Sequence, residues 1–593
     1  MTEKLPYWKR RLELKHRSKK IKRHMRRAEG ATVRHARRFI INRWDKIREI
    51  RFHVIGWLAG VGALIGIVGL QMVWFQQSYV TTAPIEGGTY AEAVRGPIET
   101  LNPLYATTPA ELSAVKLVFS SLYKYDTTGN LKGDLATSIT SKDDEEFTVT
   151  LRRDAKWHDG EPLTAKDVVF TVNTMRDPAA RSVLAPSWQG IAAEYIDDQT
   201  VRFLLPAAYA AFPQALTFAI LPQHLLESVE PSTLRENTYS TNPVGSGPFA
   251  FQLLQTVSSQ IDRKIVYLNA DNSYYKGRPH LDRFQLHTYK DNDAIKQALR
   301  TGEVTGASDI SGELARAIDS KRYDLVVRPV NSGVYTIFNL SNPILKDKKI
   351  RTALRYATDT EAIREQMFSE PQVLDLPFIP EQVAGSEKIT APKVNVAQAA
   401  KILNKEGWKL KDGIRTKKGK ELRFRVVTRQ NTEYESALKL LIKQWSAVGV
   451  QLDAEIYDTN DTTKSFASDI LQPRNYDILV DELVIGADPD VFAFWHSGGL
   501  LNFSEYGNDI SDDALASARS TSDPALRVPK YMTFARQWLA DVPAIGLYRS
   551  NFIYAHTKAT NVIGKDETIV SPSDHYAGVQ YWTAERGRVY KTP

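Results

Sequence analysis

LRFRVVTRQNTEYESALKLLIKQWSAVGVQLDAEIY, residues 422–457, decides the fold class of this chain. Leu422 to Thr428 reads as a strand, and Glu433 to Val448 as a helix carrying Leu438, Leu441, Trp445 and Val448 on one face. Gln451 to Tyr457 reads as a second strand. A strand, a covering helix and a returning strand make a βαβ unit, whose two strands run parallel with the helix laid over the sheet. The expected architecture is therefore layered α/β.

Working outward, strand and helix patterns alternate through most of the chain. Thr89 to Val94 predicts a first strand. Phe147, Val149 and Leu151 alternate with Thr148, Thr150 and Arg152, the period of a half-buried strand. A turn follows at His158-Asp159-Gly160, and Thr164 with Asp167 three positions on marks a helix start, because side-chain oxygens there satisfy free backbone amides. NPVGSGPF, residues 242–249, predicts a sharp crossing into a strand at Phe249 to Leu253. Ile350 to Phe368 and Val528 to Leu539 read as further helices, and Ile478 to Ile485 as a strand. At 593 residues the chain exceeds what one core supports, so several lobes or domains are expected.

The N-terminal part is of another kind. Phe52 to Phe75, FHVIGWLAGVGALIGIVGLQMVWF, has no Asp, Glu, Lys or Arg. At about 1.5 Å per residue it reaches ~36 Å, enough for a hydrocarbon core of ~30 Å. It is longer than a signal peptide's apolar region and ends in Met72, Trp74 and Phe75, which suit an interfacial anchor, so an uncleaved span is expected. Residues 1–51 carry a formal charge of +14, whereas the remainder carries −6, so the overall pI of 9.1 describes only the arm. Retention of basic residues in the cytoplasm places the N-terminus inside and the rest outside. The stripe Val33, Ala36, Ile40, Trp44, Ile47 and Ile50 on this basic segment suits anionic lipid better than nucleic acid, which is not expected as a partner. The absence of cysteine excludes disulfides, thiolate metal sites and a lipidated thiol.

Enzymatic constellations are missing. There is no HExxH, GxSxG or P-loop, and His158, His224, His496 and His575 lack metal-ligand spacing, so no metal, cofactor or catalytic residue is expected. The richer signal is GADPDVFAFWHS, residues 486–497, which sets Asp488 and Asp490 beside Phe492, Phe494 and Trp495 at a strand end. Crevices beyond strand ends are where open α/β sheets bind ligands, and a carboxylate with aromatic walls can hold an amine. The alternative is that Asp488 caps a turn and the aromatics are core.

Taken together, these motifs resemble the extracytoplasmic solute-binding proteins of ABC importers, in the group that binds peptides, nickel and related solutes. The matching segments are PIETLNPLYA (97–106), LYKYDTTGNLKGDLATS (122–138), FTVTLRRDAKWHDGEPLTAKDVVFTVNTM (147–175) and NPVGSGPF (242–249). They continue through KIRTALRYATDTEAI (349–363), AAKILNKEGW (399–408), GVQLDAEIYD (449–458) and DVPAIGLYRS (541–550). The resemblance implies a two-lobed periplasmic-binding-protein-like fold with an extra inserted domain, preceded by one N-terminal transmembrane helix. The implied layout is a basic cytoplasmic arm at 1–51, a span at 52–75 and a linker at 76–88. Lobe I takes 83–127, 243–335 and 551–593, the inserted domain 128–242, and lobe II 336–550. It also implies a non-enzymatic receptor, tethered outside the membrane, that binds oligopeptides and delivers them to a permease and ATPase. The expected ligand-binding residues are Asp488, which would meet a peptide amino terminus, then Asp490, Phe494, Trp495, Asn242 and Gly245. A tryptophan common in relatives is replaced by Ile485, and an arginine some relatives carry falls on or near Glu482. Alternatives are an envelope chaperone that holds peptides or proteins, a membrane-bound hydrolase, and a receptor for a nickel chelate or oligosaccharide.

Overall fold

The computed structural model describes residues 44–258, 263–458 and 465–590. Most of the basic arm, with Val33, Ala36 and Ile40 of its apolar stripe, lies outside these residues. The chain divides into a small unit, Met1–Ala83 with Gly587–Pro593, and a large one, Pro84–Arg586.

Among the described residues of the small unit, one helix, α1, runs from Trp44 to Tyr79. Its segment Arg51–Phe75 is long and apolar enough to cross a membrane, and Trp57, Leu64 and Leu70 on it face outward. The stretch Gln76 to Gly88, expected as linker, holds the end of α1 and a short strand at Val80–Ile85.

The large unit is built on a ten-stranded sheet. Its strands, numbered along the chain, are β1 (Thr89–Arg95), β2 (Phe249–Ser258), β3 (Arg263–Ala270), β4 (Arg283–Tyr289), β5 (Gly306–Ala307), β6 (Tyr323–Phe338), β7 (Arg423–Arg429), β8 (Gln451–Tyr457), β9 (Ile478–Val484) and β10 (Ala544–Thr557). The order across the sheet is β8-β7-β9-β6-β10-β5-β1-β4-β3-β2. The helices used below are α2 (Ala165–Arg176), α3 (Gly312–Ala317), α4 (Lys348–Ala357), α5 (Thr360–Glu365), α6 (Thr432–Ser446), α7 (Asp509–Arg519) and α8 (Pro524–Asp541). As the opening stretch predicts, β7 and β8 pair in parallel, Arg423 opposite Gln451 through Arg429 opposite Tyr457. Between them α6 buries Leu438, Leu441 and Trp445.

A separate four-stranded sheet lies between residues 136 and 204, and its strand Glu146–Leu151 buries every second residue. There α2 starts with the predicted capping box, the Thr164 amide donating to Asp167 Oδ2 at 2.8 Å. The apolar core of this part, including Trp157 and Phe203, is continuous with that of β1, β3 and β4.

The helix expected from Ile350 to Phe368 is instead two, α4 and α5, broken at Thr358-Asp359. The Trp445 indole donates to Thr358 Oγ1 at 2.9 Å, and the Asp359 amide donates to Gln444 Oε1 at 3.0 Å. Asp359 then caps α5. Bonds to α6 thus replace the helical bonds that would have continued α4.

Strands β6 and β10 are the longest, with 16 and 14 residues, and they cross the whole unit side by side. Core residues up to Val330 and from Phe552 onward pack with β1 to β5, whereas Val334 to Tyr548 pack with β7 to β9. The ladder between the two strands is interrupted between Pro329 and Gly333. There the Arg549 guanidinium, itself buried, donates to Val330 O at 2.8 Å and to Asn331 Oδ1 at 2.7 Å.

Candidate functional site

The loop after β9 is fixed from its first residue. The amides of Ile485 and Gly486 both donate to Asn331 O, at 2.9 and 3.0 Å, which ties the loop to the interruption in β6. Gly486 sits at φ +80°, a left-handed conformation that glycine adopts without steric cost. Asp488 Oδ1 then accepts from the Asp490 amide at 2.9 Å, and Asp490 Oδ1 from the Phe492 amide at 3.3 Å. These Asx turns deliver the chain into the short helix Phe492–Trp495.

Two arginines close on the acids. Arg527, in the first turns of α8, holds Asp488 by two parallel bonds of 2.7 and 2.6 Å. Burial works against its charge, but the bonds to Asp488 outweigh that and keep the guanidinium protonated. Arg519, the last residue of α7, lies 3.1 Å from Asp490 Oδ2. Burial pushes the Asp490 carboxyl up, opposed by Arg519 and reinforced by Asp488.

Arg519 also reaches the part of the unit that carries the four-stranded sheet. Its guanidinium carbon lies 4.5 Å from the Phe492 ring centre and 4.7 Å from that of Tyr209. Its carbonyl accepts from the Ala210 amide at 2.9 Å, and nearby the Ser522 amide donates to Asp144 Oδ2 at 3.1 Å. The Tyr209 phenol is pushed up to about 12 by burial and by the Asp490 charge. Tyr125, which donates to Gln214 at 2.9 Å, is also raised, by burial first and then by Asp574 and Asp488. Asp488 and Asp490 therefore sit where the two parts meet, with Tyr209 and Phe492 held beside them by Arg519.

The remaining expected residues fall elsewhere. Trp495 is a core residue, 1 % exposed, edge-on to Trp538 at 5.4 Å and packed on Tyr335. Phe494 is half-buried on the same cluster. Gly245 is a packing residue, because a Cβ there would lie 2.0 Å from Val118 O. The amides of Ser246 and Gly247 donate to that same carbonyl at 3.1 and 2.8 Å. Asn242 is exposed, its amide donating to Thr238 O at 2.9 Å. The structure brings Asp488 and Asp490 together, but among the described residues no hydrogen bond joins Asn242 or Gly245 to them. Sequence reasoning missed Arg519, Arg527, Tyr209 and Tyr125. The last lay inside a quoted motif, and the two arginines, eight residues apart, carried no local signal.

This architecture recurs in known proteins. The model of bacterial extracellular solute-binding proteins, family 5, matches residues 130–502. The chain belongs to that family, the solute-binding class of peptide and nickel ABC importers. Among curated relatives, the oligopeptide-binding protein AppA of Bacillus subtilis is 28% identical over 486 residues, covering 79% of this chain and 87% of its own. The structure of B. subtilis AppA in complex with a nonapeptide has a TM-score of 0.71 and 26% identity, covering 85% of this chain and all of that one. The structure of NikZ from Campylobacter jejuni in complex with Ni(L-His) gives 0.72 and 25%, covering 84% and 99%.

Proposed function

We propose that this chain is a membrane-tethered receptor that binds oligopeptides between two lobes and delivers them to an ABC permease and its ATPase. The observation that carries this reading is the meeting of the Asp488–Asp490 loop with Tyr209 and Ala210 through Arg519. Such a seam opens and closes over a solute, as in hinge-bending binding proteins. Lobe I is assigned to 83–127, 243–335 and 551–593, the inserted domain to 128–242 and lobe II to 336–550, with the pivot where β6 and β10 pass from one core to the other. Asp488 receives the peptide amino terminus as a third partner beside Arg527. Backbone hydrogen bonding in the manner of strand addition supplies affinity without reading side chains. No covalent step is involved, and transport energy comes from the ATPase inside the cell.

The segment 52–75 holds the receptor at the membrane, with the +14 arm on the cytoplasmic side against anionic lipid or the importer. Protease added outside intact cells should degrade the large unit; sparing it would refute this topology. For the receptor itself, the test is calorimetry of the full chain in lipid nanodiscs against a mixed pool of tri- to pentapeptides. Saturable binding is expected. Silence toward the pool together with tight binding of a nickel–histidine chelate would replace the peptide reading with the solute of the NikZ structure.

A further inference from the structure

A second set of acids lies beside the pivot. Val334 of β6 pairs with Glu482 of β9 on one side and Tyr548 of β10 on the other. Directly opposed residues of neighbouring strands share a face of the sheet, so Glu482 and Tyr548 rise together over Val334. The helix covering that face contributes Tyr434, whose hydroxyl donates to Glu482 Oε2 at 3.0 Å, while Ser332 donates to Oε1. Beside Tyr434, Glu433 lies in the first turn of α6 and turns its Oε1 toward Gly312, the first residue of α3, 3.1 Å from where a Cβ on that glycine would stand. Asp309, at φ +49°, precedes α3 by three residues. Asp309, Glu433 and Glu482 are all half-buried.

Two features separate this cluster from an ordinary solvated acidic face. The Tyr548 side chain is 1 % exposed, yet its hydroxyl has no hydrogen-bond partner among the described residues. A buried hydroxyl left unpaired is costly, so it calls for a partner that the described residues do not provide. Burial, followed by the charges of Glu433 and Glu482, pushes the Tyr548 phenol up, which places it in the field of both carboxylates. The carboxyls also strain against one another. Burial and then Asp309 and Glu482 raise Glu433, with Gly312 and Arg316 opposing, while Asp309 is raised by burial and Glu482 and relieved in part by Arg95 and His575. Among the described residues the acids do not converge tightly enough to ligate a metal ion.

We propose that Asp309, Glu433, Glu482 and the Tyr548 hydroxyl form a subsite for an organic cation, the guanidinium or ammonium of a basic side chain in the bound solute. The proposal rests on the receptor reading above and adds the substrate class. A guanidinium there donates to two carboxylates and to the orphaned hydroxyl at once, and it neutralises charges that repel each other in the empty site.

The test uses the full chain in nanodiscs and a set of pentaalanine peptides with one arginine placed in turn at each position. A matched set carries neutral citrulline instead. At one position arginine should bind about tenfold or more tighter than citrulline. Glu482→Gln and Glu433→Gln, each tested separately, should cut that preference to below about threefold, with the pentaalanine affinity unchanged as the control for folding. Equal binding of the arginine and citrulline sets to wild type overturns the cation subsite and leaves the receptor reading intact. If no peptide binds, the peptide reading fails, and agmatine decides the subsite alone: binding that Glu482→Gln abolishes supports it, and no binding overturns it.

Discussion

The Asp488 carboxylate and the Arg527 guanidinium face each other through two parallel bonds, 2.7 and 2.6 Å long, with each side chain 15 % exposed. The acid best placed to greet a peptide amine is thus already neutralised within the protein. In the proposed receptor an incoming ammonium would join this ion pair and not meet a bare charge, so Arg527 would set how strongly Asp488 attracts an amine.

Asp488→Asn should show two separable effects. Losing the charge partner of a half-buried guanidinium destabilises the fold by about 1–3 kcal/mol, read from urea unfolding. Peptides with a free amino terminus should lose about tenfold in affinity, and their acetylated counterparts less than about threefold. Equal losses for both would remove Asp488 from amine recognition.

Arg519→Ala should loosen the seam. It removes an ion pair to Asp490 and the contacts with Tyr209 and Phe492, worth together about 1–2 kcal/mol. That shifts an open-to-closed ratio by about 5–30-fold. Small-angle scattering without peptide should give a larger radius of gyration than wild type, and saturating peptide should restore the wild-type value. Identical curves in both states would show that Arg519 does not hold the seam.

Gly245→Ala should damage stability and spare recognition. Its Cβ meets the Val118 carbonyl, a backbone atom that cannot swing away. The cost should fall at the upper end of ~1–3 kcal/mol for overpacking, seen as a lower urea midpoint. Peptide affinity of the folded fraction should not change, and a change would return Gly245 to the binding surface.

Glu433→Gln should alter the pH dependence of stability in one direction. The native carboxyl binds its proton up to a higher pH than the usual value near 4.3, so the native state holds more protons than the unfolded chain above that value. Wild-type stabilisation from this group is complete below it and is lost as pH rises through the native pKa. The glutamine variant has no such loss. Its melting temperature relative to wild type should rise from about pH 4.5 to 7. A flat difference over that range would mean that the ionised carboxylate sits there without strain.

What could be read from the sequence was what neighbouring residues decide. The β7–α6–β8 unit follows from apolar spacing alone, and its two strands pair in parallel as expected, the first running from Arg423 to Arg429 against an expected Leu422 to Thr428. The break between α4 and α5 could not be read, because the residues that impose it, Gln444 and Trp445, lie more than eighty positions away. The acid loop was legible as a candidate through its composition. Its partners were not, since Arg527 is 39 residues from Asp488 and reaches it only when α8 folds back over the loop. The role of Gly245 depends on a carbonyl at Val118 that no local pattern announces.

The paired crossing of β6 and β10, stapled by Arg549 at Val330 and Asn331, has a mechanical meaning. Two hydrogen-bonded ribbons with a gap in their shared ladder behave as a leaf spring thinned at one point, where bending concentrates. Closure of the proposed lobes about that point would fall in the microsecond-to-millisecond range of collective hinge motions. In the proposed receptor the Arg549 guanidinium bridges that point, so loosening it should alter how long a cargo dwells without touching the surface that recognises it.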